Sequence, residues 1–129
     1  MSDAQKKNLD IQCAELGRDL ARIKDMDEKV INAALAVLEE QGPYAMFLYL
    51  KARHSNVAGE SSDKSLKFLQ DIFNAQPNNV TQLNNAKDVL EATTHLARNL
   101  DDLLFARDLL RTALSYARYH LKAKGDKTP

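Results

Sequence analysis

A single cysteine, Cys13, stands in the whole chain, so no internal disulfide can form and the paired Cys/His spacings of zinc sites are absent. Tryptophan is missing, and four glycines and three prolines are too few for the closely spaced turns of an all-β protein. Neither a strand-like alternation of β-branched residues nor a repeat at solenoid periods nor a low-complexity segment is found. No apolar run reaches the roughly 18 residues of a membrane helix, and no signal-peptide pattern occurs. No membrane partner is expected, and a reducing cytoplasm is the expected location. The Gly-rich phosphate loop, the nucleophile elbow and the metalloprotease helix motif are all lacking, so no enzyme, no catalytic residue, no metal and no cofactor is expected. Eighteen Lys and Arg cancel eighteen Asp and Glu, which removes any whole-molecule field towards nucleic acid or membrane. Any electrostatic role must be local.

What remains is rich in Ala, Leu, Lys, Asp and Arg, the composition of helices joined by short punctuated turns. At 129 residues with 44% hydrophobic and 28% charged residues, the chain fits one globular domain without staples. The expected fold is all-α, a compact single-domain bundle of about six helices. Ser2 and Gln5 fit a capping box, and Leu9, Cys13, Leu16, Leu20 and Ile23 make a heptad-like stripe on a first helix over 3–24. Asp25 or Asp27 caps a second, whose core face is Val30, Ile31, Ala34, Leu35 and Leu38. Gly42 suits a helix end and Pro43 the first turn of the next, so a third helix over 43–53 follows a tight corner. Residues 54–62 read as a polar loop. A fourth helix starts at Ser61 or Ser62, carries Leu66, Leu69, Ile72 and Phe73, and ends at Gln76-Pro77-Asn78-Asn79. A fifth starts at Val80 or Thr81 with Leu83, Ala86, Val89 or Leu90, and Leu96 or Ala97 on one face. Near Asn99 and Leu100 the chain either turns, with Asp101 as cap, or runs straight on; a turn is the favoured reading, with a last helix over 101–124. Its stripe is Leu103, Ala106, Leu110, Ala113, Leu114, Ala117 and Leu121, and Gly125 stops it.

Few residues here suggest chemistry. His54, His95 and His120 fall on different elements, none at ligand spacing from another His or from Cys13, and read as ordinary partly exposed residues. Cys13 lies on an apolar stripe and reads as a small core residue. Glu39 and Glu40 are adjacent on a helix and diverge rather than face each other. The last helix carries more. With Arg107 at zero, Arg111, Arg118 and Lys122 project at roughly 40°, 20° and 60° around the helix axis, a narrow cationic stripe beside the apolar face. The stripe can track a phosphate backbone, or its members can cover the core edge and pair with acids of neighbouring helices. Residues 95–129 hold seven Lys and Arg against four acids, and residues 1–94 hold eleven against fourteen. Opposed ends of this kind suit nucleic-acid contact at one end, or head-to-tail self-association. The run Tyr44 to Leu50 is apolar nearly all round and reads as core or as a subunit interface presenting Tyr44, Phe47 and Tyr49.

Two stretches carry a family resemblance. From Val30 to Arg53, a Leu-rich helix ends at Gln41-Gly42 and a short apolar helix with Phe47, Leu48 and Leu50 follows. From Ala113 to Lys124, Leu114, Tyr116, Ala117, Arg118, Tyr119 and Lys122 close the last helix. Both are similar to the small helical subunit of type III-B CRISPR effector complexes, the Cmr small-subunit family. Pro43 and Tyr116 depart from that pattern, in which an apolar residue and a Trp are usual. The resemblance implies a non-catalytic protein of antiviral defence that stacks in copies along a crRNA-guided ribonucleoprotein and turns basic side chains towards crRNA and target RNA, with other effector-complex subunits as partners. The stripe and the corner nominate Arg107, Arg111, Arg118 and Lys122, with Lys51 and Arg53 at the end of the third helix, as its RNA-contacting residues. A protein-protein adaptor without nucleic-acid binding is the alternative.

Overall fold

Helix boundaries in this chain are set by a few side chains and by one glycine-proline pair. The computed structural model describes residues 3–75 and 81–125, less the side chains of residues 5–7. Six helices lie among them: α1 (Asp3–Ala21), α2 (Glu28–Gln41), α3 (Pro43–Arg53), α4 (Ser55–Asn74), α5 (Val89–Leu96) and α6 (Leu100–Gly125). No strand occurs among the described residues. Ser2, Gln76 to Asn79 and Val80, named above as helix signals, lie outside the described residues, as does the side chain of Gln5.

Of the two candidate caps for α2, Asp27 is the one used: its carboxylate accepts a hydrogen bond from the Val30 amide at 2.9 Å. The turn before it places Asp25 in the left-handed region at φ 70°, so α1 stops three residues short of the expected 24. Gly42, at φ 95°, closes α2 by donating its amide to the Leu38 carbonyl, and Pro43 occupies the first turn of α3. That corner forms as expected.

The 54–62 loop does not. His54 alone separates α3 from α4, donating its amide to Leu50 and accepting from the Val57 and Ala58 amides. Val57, Ala58, Ser61 and Ser65 are buried in line with Phe68, Leu69, Ile72 and Phe73. The serines serve as small residues on a core-facing stripe, and burial of that stripe outweighs their weak helix propensity. The fifth helix is shorter than expected for the opposite reason. Asn84 and Asn85 disfavour a helix, 81–88 is non-helical although Leu83 and Ala86 are buried, and α5 begins only where the Asp88 carboxylate accepts from the Glu91 amide at 2.8 Å. The start of the 81–88 segment is tied down. The Gln70 side chain donates to the Leu83 carbonyl, while the Thr81 amide and hydroxyl both donate to the buried Asp102 carboxylate at 2.8 and 2.6 Å. Asn99, rather than Asp101, caps α6, its side chain accepting from the Asp102 amide at 3.0 Å.

One hydrophobic cluster draws on all six helices. Helix α6 is its axis, packed against α1, α2, α5 and, more lightly, α3, while α4 closes the far side on α1 and α3. α1 and α6 run in the same direction. The Cys13 thiol donates to the Leu109 carbonyl at 3.5 Å, and four residues further along both helices Gly17 meets Ala113. A methyl group at Gly17 would stand 2.5 Å from the Ala113 carbonyl oxygen and 2.5 Å from the Tyr116 Cβ, so only glycine allows this approach. α2 runs against α6: Asp27 and Glu28 lie with Leu121 and Lys124, and Glu39 reaches Arg111. No helix of the described residues is long and apolar enough to cross a membrane.

Candidate nucleic-acid interface on the last helix

The inward half of α6 is spent on the core, with Ala106, Leu109, Leu110, Ala113, Leu114 and Ala117 buried and Leu103 and Leu121 packed at its edge. The helical period therefore turns Leu100, Leu104, Arg107, Arg111, Ser115, Arg118, Tyr119 and Lys122 outward or towards the seams with α1 and α2. The four cations of the sequence stripe do share one side of the helix, but their surroundings divide them.

Arg111 is already engaged. Its guanidinium donates through two nitrogens to both carboxylate oxygens of Glu39 on α2, and through the third to Asp108 at 2.9 Å. The hydrogen bond from Arg111 holds the Glu39 carboxyl below the usual carboxylate range, and the same bond raises the Arg111 pKa. Arg107 is half-buried beside this pair, with its Nε in no hydrogen bond, and its charge adds to the pull on Glu39. These two arginines stand against two acids, so the N-terminal half of the stripe is close to neutral. The carboxylate that meets Arg111 is Glu39, which its place in the sequence set apart only as diverging from Glu40.

The C-terminal half differs. Among the described residues neither Arg118 nor Lys122 enters an ion pair. The Arg118 guanidinium carbon lies 5.8 Å from the centre of the Tyr119 ring, and Tyr119 is 61% exposed. Beside them, Arg111, Thr112, Ser115, Tyr116 and Tyr119 line an open depression of about 270 Å³. The Thr112 and Ser115 hydroxyls donate back to the Asp108 and Arg111 carbonyls, which leaves their oxygen lone pairs facing out. The Tyr116 hydroxyl donates to the Asp10 carboxylate at 3.1 Å, a hydrogen bond that also raises its pKa. This surface can hold an anion and a flat ring together.

Lys51 and Arg53 are exposed on the last turn of α3. Lys51 lines a separate cleft with Ser55, Ser62, Asp63 and Asp88, to which α6 contributes nothing, so it does not join the α6 cations. In the nominated interface run, Tyr44 is 47% exposed, whereas Phe47 at 2% belongs to the core and cannot meet a partner. Tyr49 is half-buried, its hydroxyl 3.3 Å from His54 Nε2. Leu48, at 46% exposed, takes the place beside Tyr44 that Phe47 was expected to fill, since residues four apart share a helix face. His95 lies 4.0 Å from Glu91 one turn away, and among the described residues no three His, Cys, Asp or Glu side chains are grouped as metal ligands would be.

Tyr119 is the member of the site that charge counting overlooked. Its position on the polar side of the helix, next to a cation, was visible in the period of α6. Fold and surface together describe an all-α bundle with a cation-aromatic face at the end of its central helix. No family model matches the chain, and no curated protein and no solved structure matches it.

Proposed function

We propose that this chain is a non-catalytic small subunit of a crRNA-guided type III CRISPR ribonucleoprotein, contacting guide or target RNA through the C-terminal half of α6. The observation that carries the reading is the pair of cations, Arg118 and Lys122, that enter no ion pair among the described residues, beside an exposed Tyr119. The resemblance of Val30–Arg53 and Ala113–Lys124 to the Cmr small-subunit family supports it, and the Gln41-Gly42 end of α2 and the closing helix are the elements concerned. In such an assembly copies pack head to tail, the basic end of one against the acidic part of the next. Two cations give little free-standing affinity at physiological salt, so the subunit alone is a weak RNA binder and gains its hold from neighbouring subunits. A gel-shift titration with RNA at low and moderate salt, comparing the protein with an Arg118→Glu/Lys122→Glu variant, tests this. Salt-sensitive binding lost in the variant is the expected result. Equal binding by both proteins removes these residues from the site, and no binding at low salt removes the RNA reading. Arg111 is left untouched because Glu39 and Asp108 already engage it.

A second reading rests on a different observation. Tyr44 and Leu48 on α3, and Leu100 and Leu104 on α6, form exposed apolar pairs one turn apart. They suit a protein-protein adaptor. Binding of a protein partner that is insensitive to salt, by a protein that retains no RNA, favours that reading.

A further inference from the structure

Phosphate contact alone does not say whether a site takes paired or unpaired nucleic acid, and the surroundings of Tyr119 do. Its ring projects from the outer side of α6 with 61% of the residue exposed. Arg118 holds its guanidinium 5.8 Å from the ring centre. The adjoining depression is open and of about 270 Å³. Its floor is Thr112 and Ser115, whose hydroxyls already donate to the helix and so offer acceptors to whatever lies above. Tyr116, held by Asp10, and Arg111, held by Glu39, also line it.

In a duplex the faces of the bases are stacked on one another and unavailable to a side chain, whereas unpaired bases stack on exposed aromatic rings and guanidinium planes. From the ring, the depression and the two neighbouring cations we infer that the site takes single-stranded RNA, one base stacking on Tyr119 while Arg118 and Lys122 meet the flanking phosphates. This inference rests on the RNA reading above and names the class of RNA. It makes Tyr119 a specificity residue: ring stacking selects unpaired strands, and the two cations supply the salt-dependent part. With two phosphates neutralised, the logarithm of the association constant falls against the logarithm of salt with a slope of roughly −1.4.

The test is fluorescence anisotropy at low salt with a labelled single-stranded oligoribonucleotide and with the same oligonucleotide annealed to its complement. The full chain is compared with Tyr119→Phe, Tyr119→Ala and Arg118→Glu/Lys122→Glu. Tyr119 is exposed, so its replacement leaves the core intact, and circular dichroism of each variant verifies this. The expected result is single-strand binding that Tyr119→Phe keeps and Tyr119→Ala weakens by roughly tenfold without changing the salt slope. Duplex binding should be weaker and indifferent to Tyr119. Unchanged binding by Tyr119→Ala, or duplex binding as tight as single-strand binding, overturns the stacking inference. If the charge-reversal variant still loses binding in that case, the RNA reading itself stands. No binding of either form at low salt overturns both, and turns this face over to a protein partner.

Discussion

The two long flanks of α6 are built on different physics. Against α1, backbones come together over Gly17, Ala113 and Ala117, and the Cys13 thiol fills the space one turn below. Against α2, Val30, Ile31, Ala34 and Leu38 are buried side chains, and the outer edge is closed by Glu39 on Arg111. The first seam is intolerant of volume at Gly17, while the second is closed at its outer edge by an exposed ion pair. The difference explains the division of the cationic stripe. Where a partner helix supplies a carboxylate, an arginine is consumed. Beyond the reach of Glu39, the cations Arg118 and Lys122 are left for something else.

The sharpest way to break this comparison is through Cys13. Burial, with a smaller contribution from Asp10, pushes its thiol up to about 12 from 9.0. At a given pH near neutrality the native protein therefore holds about a thousandfold less thiolate than an exposed cysteine. A disulfide reagent should leave Cys13 unmodified in the folded protein and modify it fully in denaturant, and rapid native reaction would show that the α1–α6 seam opens. Next in size is Gly17→Leu, which drives a side chain into the Ala113 carbonyl and the Tyr116 Cβ and should cost about 3 kcal/mol in chemical denaturation. A loss no greater than that of an ordinary surface change would mean the seam is loose.

The smallest effect belongs to the other flank. Glu39→Gln should lower stability only slightly, and the loss should shrink as salt is added, because the pair is exposed. Its pH dependence has a definite sign. The folded-state pKa of Glu39 is lowered, so its contribution is present above the ordinary value of 4.5 and is lost as pH falls through the folded value. Thermal melts of wild type and Glu39→Gln should thus differ at neutral pH and converge in acid. A difference that persists in acid or in high salt would assign the effect to packing.

Much of this architecture was legible in advance, for local reasons. The third helix has the expected limits because Gly42 and Pro43 set backbone angles by covalent structure, whatever surrounds them. Asp27 could be named as a candidate cap because a carboxylate three residues before an amide has one short reach to make. The 54–62 segment misled because serine looks polar in a sequence but is also small, and only the neighbours of Ser61 and Ser65 decide which property counts. Gly17 gave no warning, since a glycine inside a helical stripe looks alike whether or not a second backbone lies against it.

The candidate site divides along the same line. Projection around α6 placed Arg107, Arg111, Arg118 and Lys122 on one side, a matter of helical period alone. The sequence by itself therefore determined an all-α chain, the apolar faces of α1, α2 and α6, and the side on which its cations stand. Which of those cations is spent and which remains was decided by tertiary structure, because the carboxylate that engages Arg111 lies 72 residues away in the chain. Helical period acts within a few residues, whereas charge pairing acts through space, and only the packing of α2 along α6 brings Glu39 to Arg111 and leaves Arg118, Tyr119 and Lys122 beyond its reach.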